Sequence, residues 1–178
     1  MPEKKGVKDK AKKIKLLILD VDGVMTDGSI ILDNEGNEFK SFHVRDGHGL
    51  RMLMQAGVRV AIITGRSSKV VVRRARELGI TDVFQKCRDK RVAYQKLLKL
   101  YSLDNGQVAY IGDDIVDLPV MSRVGLPVAV SDASAETKEY ALLVTRNRGG
   151  RGAVREVTDL ILKSQGLWKD IFNEYVKA

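Results

Sequence analysis

The sequence predicts an α/β domain: a doubly wound, Rossmann-like parallel sheet with helices on both faces, a β-hairpin after the first strand and no cap domain. Three observations carry this. Apolar runs rich in Val, Ile and Leu alternate with amphipathic helical patterns, as expected for strands buried on both faces of a parallel sheet. Turn residues separate the two kinds of segment at regular intervals. Polar clusters stand just after the apolar runs, where open α/β sheets hold their ligands.

The strands are expected at Lys15–Asp20, Val58–Thr64, Asp82–Phe84, Gln107–Ile111, Pro127–Val130 and Leu142–Val144. Helical patterns fall near residues 46–56, 67–78, 88–100, 114–122 and 133–139, with Gly57 and Gly79 where helix C-caps belong. Leu103-Asp104-Asn105-Gly106 is a turn signal before the fourth strand. Ser29–Asp33 and Glu38–Phe42 flank an Asn34-Glu35-Gly36-Asn37 turn and read as a β-hairpin. Gly149-Gly150-Arg151-Gly152 is a glycine-rich loop before an amphipathic helix over Ala153–Gln165, and a last short helix is expected over Leu167–Val176. Nothing marks a second domain, so residues 14–178 are expected to form one domain behind a basic tail over 1–13.

Composition excludes several classes. The 178 residues are 44% hydrophobic and 30% charged, ordinary for a globular chain. No apolar run is long enough for a membrane span, and the lysine-rich start has no apolar segment of a secretory signal. One cysteine, Cys87, cannot form an intramolecular disulfide. A cytoplasmic protein is expected. The net charge of +8 suggests nucleic acid, but residues 1–15 carry seven lysines against Glu3 and Asp9. The excess is therefore mostly a tail, and no aromatic-rich basic stretch offers a stacking surface; no nucleic-acid partner is expected.

Asp20-Val-Asp22-Gly23 ends the first apolar run. Side chains at i and i+2 of a strand point the same way, so Asp20 and Asp22 can aim at one small volume. Two anions there repel unless a divalent cation compensates. The second strand ends in Thr64-Gly65-Arg66, a hydroxyl beside free backbone N–H groups, which suits an anion. Asp89-Lys90 precedes a helix and supplies a compact positive charge. The fourth strand ends in Gly112-Asp113-Asp114, with Asp117 following. Each has a plain reading alone: a threonine cap, a surface lysine, acids at a helix start.

Together, in this order, the four motifs resemble the haloacid dehalogenase superfamily of phosphohydrolases. The second aspartate, Asp22, is similar to that of phosphatase and phosphomutase members. The resemblance implies that Asp20 is a nucleophile forming an aspartyl-phosphate and Asp22 the general acid and base. It implies Mg²⁺ held by Asp20, Asp113 and the backbone carbonyl of Asp22, with Asp114 binding through water or orienting Lys90. Thr64 and Lys90 would hold the transferring phosphoryl group.

Only a hairpin and one helix separate Asp22 from Thr64, and only a helix and a strand separate Thr64 from Lys90. Neither gap houses a lid domain. Over about Lys15–Gln165 the chain is similar to the capless family of 3-deoxy-D-manno-octulosonate 8-phosphate (KDO 8-phosphate) phosphatases. The carriers are Asp20–Gly28, Phe42–Gly47, Ile63–Arg66, Tyr110–Asp114 and Gly149–Val157. Gln85-Lys86 departs from the Gln-Gly that relatives often carry.

That resemblance implies a homotetramer assembled through the hairpins, with the glycine-rich loop reaching toward an adjoining active site. It implies a substrate with one carboxylate and one phosphate. His43, Val44, Arg45, Asp46 and Gly47, with Arg51, Gly65, Arg66 and Arg74, would line the sugar site, some from a neighbouring subunit. Arg66 is expected to open a helix, with Arg74 two turns along on nearly the same face. A phosphatase for a nine-carbon sugar-acid phosphate and a non-catalytic assembly module remain open beside this reading.

Overall fold

The structure, a computed structural model, describes residues 6–177. Its centre is a six-stranded sheet of β1 (Leu16–Leu19), β4 (Arg59–Ile63), β5 (Asp82–Phe84), β6 (Val108–Gly112), β7 (Leu126–Ala129) and β8 (Leu143–Val144). The strand order is β5-β4-β1-β6-β7-β8 and every pairing is parallel. Leu16, Leu17, Ile18 and Leu19 are all fully buried, because helices cover both faces of this central strand. Burying such side chains stabilises the fold by roughly 1.5–3 kcal/mol each.

The helices are α1 (Val7–Ala11), α2 (Val44–Gln55), α3 (Lys69–Leu78), α4 (Lys90–Tyr101), α5 (Leu118–Met121), α6 (Ala135–Tyr140), α7 (Ala153–Ser164) and α8 (Trp168–Lys177). One layer holds α2 against α3 and α7, with α1 and α8 packed on α7. The other holds α4, α5 and α6 in succession. The chain builds outward from β1 through β4 to β5, then returns to β6 on the other side of β1. That reversal opens a crevice at the carboxyl ends of β1 and β6.

A separate hairpin joins β1 to α2. Its strands, β2 (Ile31–Leu32) and β3 (Glu38–Phe39), pair with Ile31 opposite Phe39 and Leu32 opposite Glu38. They are shorter than the sequence suggests, because Asp33 closes the loop early. Its carboxylate accepts from the backbone N–H of Glu35 and Asn37 at 2.9 and 2.8 Å and from the Asn37 amide at 2.6 Å. No cap domain follows; α3 and β5 alone lie between β4 and Lys90.

Three expectations are corrected. The basic leader is not all tail: Val7 and Ala11 are buried in α1, and the Gln165 amide donates to the carbonyls of Ala11 and Ile14 at 3.2 and 2.8 Å. Charge density hid a two-residue apolar face; residues 1–5 lie outside the described residues. The helix expected over 114–122 is a 3₁₀ turn, Ile115–Asp117, followed by the one-turn α5, with Pro119 in its first turn. Arg66 does not open a helix, since α3 starts at Lys69 with Ser68 as its cap, the Ser68 hydroxyl accepting from Val71 N–H. Arg66 therefore shares no helical face with Arg74.

Candidate active site

β1 ends one residue before Asp20, whose N–H still donates to the Ile111 carbonyl of β6 at 3.1 Å. The chain then curls around a single acceptor. The Val21 carbonyl accepts from Val24, Met25 and Thr26 N–H at 3.2, 2.9 and 3.1 Å, and from the Thr26 hydroxyl at 3.3 Å. Gly23 makes the turn possible with φ +89°, a left-handed value that side chains resist. A Cβ on Gly23 would also lie 2.1 Å from Asp113 Oδ2. The absent side chain is what lets the β6 carboxylate close on the β1 loop.

At the end of β6 the polar groups are organised by Asp117, which is fully buried. Its Oδ1 accepts from Lys90 Nζ and from the Tyr110 hydroxyl, both at 2.6 Å. Its Oδ2 accepts from Asp113 N–H at 3.0 Å and Asp114 N–H at 3.4 Å. Lys90, also buried, stands 3.0 Å from Asp20 Oδ1. Burial works against the Lys90 ammonium, but Asp20 and Asp117 beside it more than offset that and hold its pKa above the usual lysine value. Asp117, not Asp114, therefore orients Lys90; the Asp114 carboxylate turns back onto Ile115 N–H at 2.8 Å and caps the 3₁₀ turn.

Carboxylate oxygens of Asp20, Asp113 and Asp117 lie within 4.8 Å of one another. Burial raises the Asp20 carboxyl above the usual range. Burial, with Asp117 and Asp20 close by, pushes Asp113 up to about 8. Asp20 Oδ1 is buried and faces Lys90 Nζ at 3.0 Å as an ion pair without a well-directed hydrogen bond. Three crowded carboxylates beside a single lysine fit a hard divalent cation such as Mg²⁺. Both Asp117 oxygens are already engaged, so Asp20 and Asp113 have the free lone pairs. Asp117 is thus spent on Lys90, Tyr110 and the backbone of Asp113 and Asp114.

The end of β4 supplies the opposite wall. Thr64 is buried, with its N–H donating to Phe84 O at 2.9 Å and its carbonyl accepting from Cys87 N–H at 3.1 Å. The Thr64–Arg66 and Lys86–Arg88 segments thus run side by side. Lys86 takes φ +57° there, a conformation that favours glycine. Asp20, Asp22, Thr64, Gly65, Arg66, Lys90, Asp113 and Asp114 line a single cleft of about 360 Å³, joined by Cys87, Arg88 and Val116.

Asp22 sits at the cleft mouth. Its Oδ1 accepts from Lys40 Nζ, and its Oδ2 lies 3.6 Å from Arg66 Nε. Arg66 Nη2 reaches Glu38 Oε1 at 3.1 Å. The hairpin therefore folds over the first motif and surrounds Asp22 with cations. Asp22 also stays partly exposed. Sequence reading missed Lys40, Glu38 and Arg88. None belongs to a motif, and only the hairpin's fold brings the first two to Asp22.

The other expected sugar-site residues lie outside this cleft in the single chain. His43 and Arg45 border a different cavity. Val44 is 79% exposed at the start of α2, and Arg51 is exposed on the same helix. Gly47 is packed on Arg74, whose guanidinium lies against the Phe42 ring at 5.7 Å. Asp46 is buried and structural: its carboxylate accepts from Gly152 N–H at 3.2 Å and Arg155 N–H at 2.8 Å, capping α7.

That cap anchors the glycine-rich loop, which packs on its own chain's first motif. Gly150 N–H donates to Val24 O at 2.9 Å, and Gly149 N–H to Asp132 Oδ1 at 3.0 Å. A Cβ on Gly149 would fall 1.6 Å from Gly23 O. The loop presses backbone to backbone against the turn that carries Asp20.

A sequence model of haloacid dehalogenase-like hydrolases matches residues 77–157. The 3-deoxy-D-manno-octulosonate 8-phosphate phosphatase KdsC of Yersinia pestis is 54% identical over 164 residues, covering 92% of this chain and 88% of that protein. The chain belongs to the KDO 8-phosphate phosphatase family. The Escherichia coli (strain B / BL21-DE3) member is 50% identical over 165 residues, covering 93% of this chain and 88% of its own. A solved structure of the Moraxella catarrhalis family member, in complex with a magnesium ion, a phosphate ion and KDO, superposes with TM-score 0.93. It is 44% identical and covers 95% of this chain and 97% of that one. The Y. pestis crystal structure gives TM-score 0.92 at 53% identity, with 93% and 89% covered. The family's fold, including the absence of a cap, is the fold found here.

Proposed function

We propose that this protein is a magnesium-dependent phosphatase that hydrolyses KDO 8-phosphate to KDO and phosphate through an aspartyl-phosphate on Asp20, a step in lipopolysaccharide precursor biosynthesis. The observation that carries the reading is the buried Asp20 carboxylate at the β1 end, 3.0 Å from Lys90 and beside Asp113, in a chain of this family.

Asp20 attacks phosphorus, and the bond from phosphorus to the sugar oxygen breaks. Asp22 gives the leaving alkoxide its proton. Asp22 then takes a proton from water, which attacks the aspartyl-phosphate and releases phosphate, restoring both carboxyl groups. Lys90, Thr64 and the backbone N–H groups near Gly65 receive the phosphoryl oxygens, where charge stabilisation counts most. Mg²⁺, held by Asp20, Asp113 and the Asp22 carbonyl, neutralises charge on the phosphoryl group and on Asp20. Asp22 begins with Lys40 and Arg66 as partners.

The sugar acid's carboxylate falls to arginines: Arg66 in the cleft, with Arg51, Arg74 and the His43–Gly47 segment reaching a site only across subunits. A homotetramer fits this division. Ile30, Ile31, Leu32 and Phe39 are 55%, 49%, 60% and 53% exposed on the hairpin, an apolar surface that assembly would cover. Among the described residues no helix is long and apolar enough to cross a membrane, which agrees with the small-molecule substrate and a cytoplasmic place of work.

Phosphate release from purified protein tests the reading. KDO 8-phosphate should be turned over faster than a nine-carbon sugar-acid phosphate, with activity lost in EDTA and restored by Mg²⁺. Asp20→Asn should lower turnover at least about a thousandfold while the circular dichroism spectrum persists. Near-normal activity of that variant would overturn the nucleophile.

A further inference from the structure

A second cavity lies apart from the reaction cleft. It measures about 580 Å³, opens between α1, the end of β8 and α7, and shares no residue with the cleft. Six cationic side chains border it: Lys8, Arg45, Arg146, Arg151, Arg155 and Lys163. Two carboxylates accompany them, and both are already engaged. Glu156 accepts from Arg146 N–H, Asn147 N–H and the Asn147 amide at 3.0–3.2 Å. Asp159 holds Arg155 Nε at 2.6 Å.

The charge that remains is unbalanced. Arg151 reaches Asp27 at 3.5 Å, and Lys163 lies over the Trp168 ring at 4.8 Å. The side chains of Lys8 and Arg146 have no ion-pair or hydrogen-bond partner among the described residues, and neither has Arg45, which the proposed function turns toward a neighbouring subunit's sugar site. They come from three separate elements, α1, α2 and the loop after β8, so only the tertiary fold gathers them. Concentrating like charge costs free energy unless an anion answers it. Leu143, Val144 and Leu160 add an apolar wall, and the volume falls within the roughly 300–1,000 Å³ of small-molecule sites.

We propose that this cavity binds an organic phosphate carrying at least two negative charges, at a site separate from the reaction cleft of the same chain. Guanidinium groups suit phosphate oxygens through paired, charge-assisted hydrogen bonds, and the apolar wall receives the organic part. A nucleotide and a phosphorylated sugar share this chemistry.

Isothermal titration in EDTA tests the site, because without metal the reaction cleft presents carboxylates and repels anions. ATP and fructose 1,6-bisphosphate are the probes, and the tighter of the two identifies the class. One probe should bind one site per chain below about 1 mM, and Arg146→Glu should weaken it at least about tenfold. Arg146→Lys should restore most of the affinity. Arg91→Glu, the same charge change on α4 outside the cavity, should leave binding intact. The proposal is overturned if neither probe binds, or if Arg146→Glu binds as wild type does. It is equally overturned if Arg91→Glu weakens binding as much, or if binding is lost in Lys90→Ala but kept in Arg146→Glu. A melting curve on each variant confirms that it is folded.

Discussion

Lys90 and Asp117 form a buried ion pair, with Nζ 2.6 Å from Oδ1. The pair joins the start of α4 to the turn after β6 and leaves Lys90 aimed at Asp20. Asp117→Ala should therefore remove activity without touching substrate, and cost about 3–5 kcal/mol of stability because a buried ammonium loses its partner. Urea unfolding and phosphate release measure the two effects. A variant as stable and as active as wild type would show that Asp117 does not position Lys90.

Gly149 stands against the Gly23 carbonyl with no room for a side chain. Gly149→Ala should push the Asp20 turn out of place at a cost of roughly 1–3 kcal/mol. Asp20 and Asp113 would then no longer share one ion as well. The expected result is a raised Mg²⁺ requirement, partly rescued at high Mg²⁺, which a purely global loss of stability would not produce. Mg²⁺ titration of activity below the melting range checks it.

The metal-free protein should lose stability as pH rises. Asp113 has its carboxyl raised to about 8 from 3.8, and burial raises Asp20 in the same direction. A carboxyl that ionises later in the folded state binds more protons there than in the unfolded chain. Its stabilisation is complete below the unfolded value and is lost as pH climbs toward about 8. Mg²⁺ replaces those protons, so the increase in Tm on adding Mg²⁺ should be larger at pH 8 than at pH 5.5. Equal shifts at both pH values would contradict a metal site built on these carboxylates.

The proposed tetramer would assemble through the exposed hairpin. Ile31 and Phe39 are direct cross-strand partners, so Ile31→Lys with Phe39→Glu places charge in the middle of the apolar surface while leaving the pairing geometry intact. Sedimentation velocity should show a tetramer for the wild-type chain and smaller species for the double variant. Activity should fall with it, since Arg51 and Arg74 lie away from the cleft of their own chain. A tetramer that survives the double variant would exclude the hairpin as its core.

Much of the fold was legible because its signals are local. Buried parallel strands need apolar residues on both faces, so β1, β4 and β6 stand out as continuous Val/Ile/Leu runs. The carboxylate and threonine motifs follow those runs directly, so their meeting at the carboxyl end of the sheet follows from the strand order, and Lys90 joins them from the start of α4. Less legible were α1, whose two buried residues are diluted among lysines, and Arg66, which precedes the Ser68 cap instead of following a helix start. The cap that Asp46 places on α7 was not legible either. Nothing in its neighbourhood of the sequence points to the α7 backbone that it caps.

The sequence by itself determined the architecture and placed the candidate reacting groups: Asp20, Thr64 and Asp113 each stand one residue beyond a strand, Asp22 follows in the turn after β1, and Lys90 opens α4. Only the tertiary structure decided which groups hold them. Asp117 for Lys90, Lys40 and Arg66 for Asp22, and Gly149 for the Asp20 turn are contacts between segments far apart along the chain. Side-chain pairing of that kind depends on distances closed by packing, and no local periodicity records it.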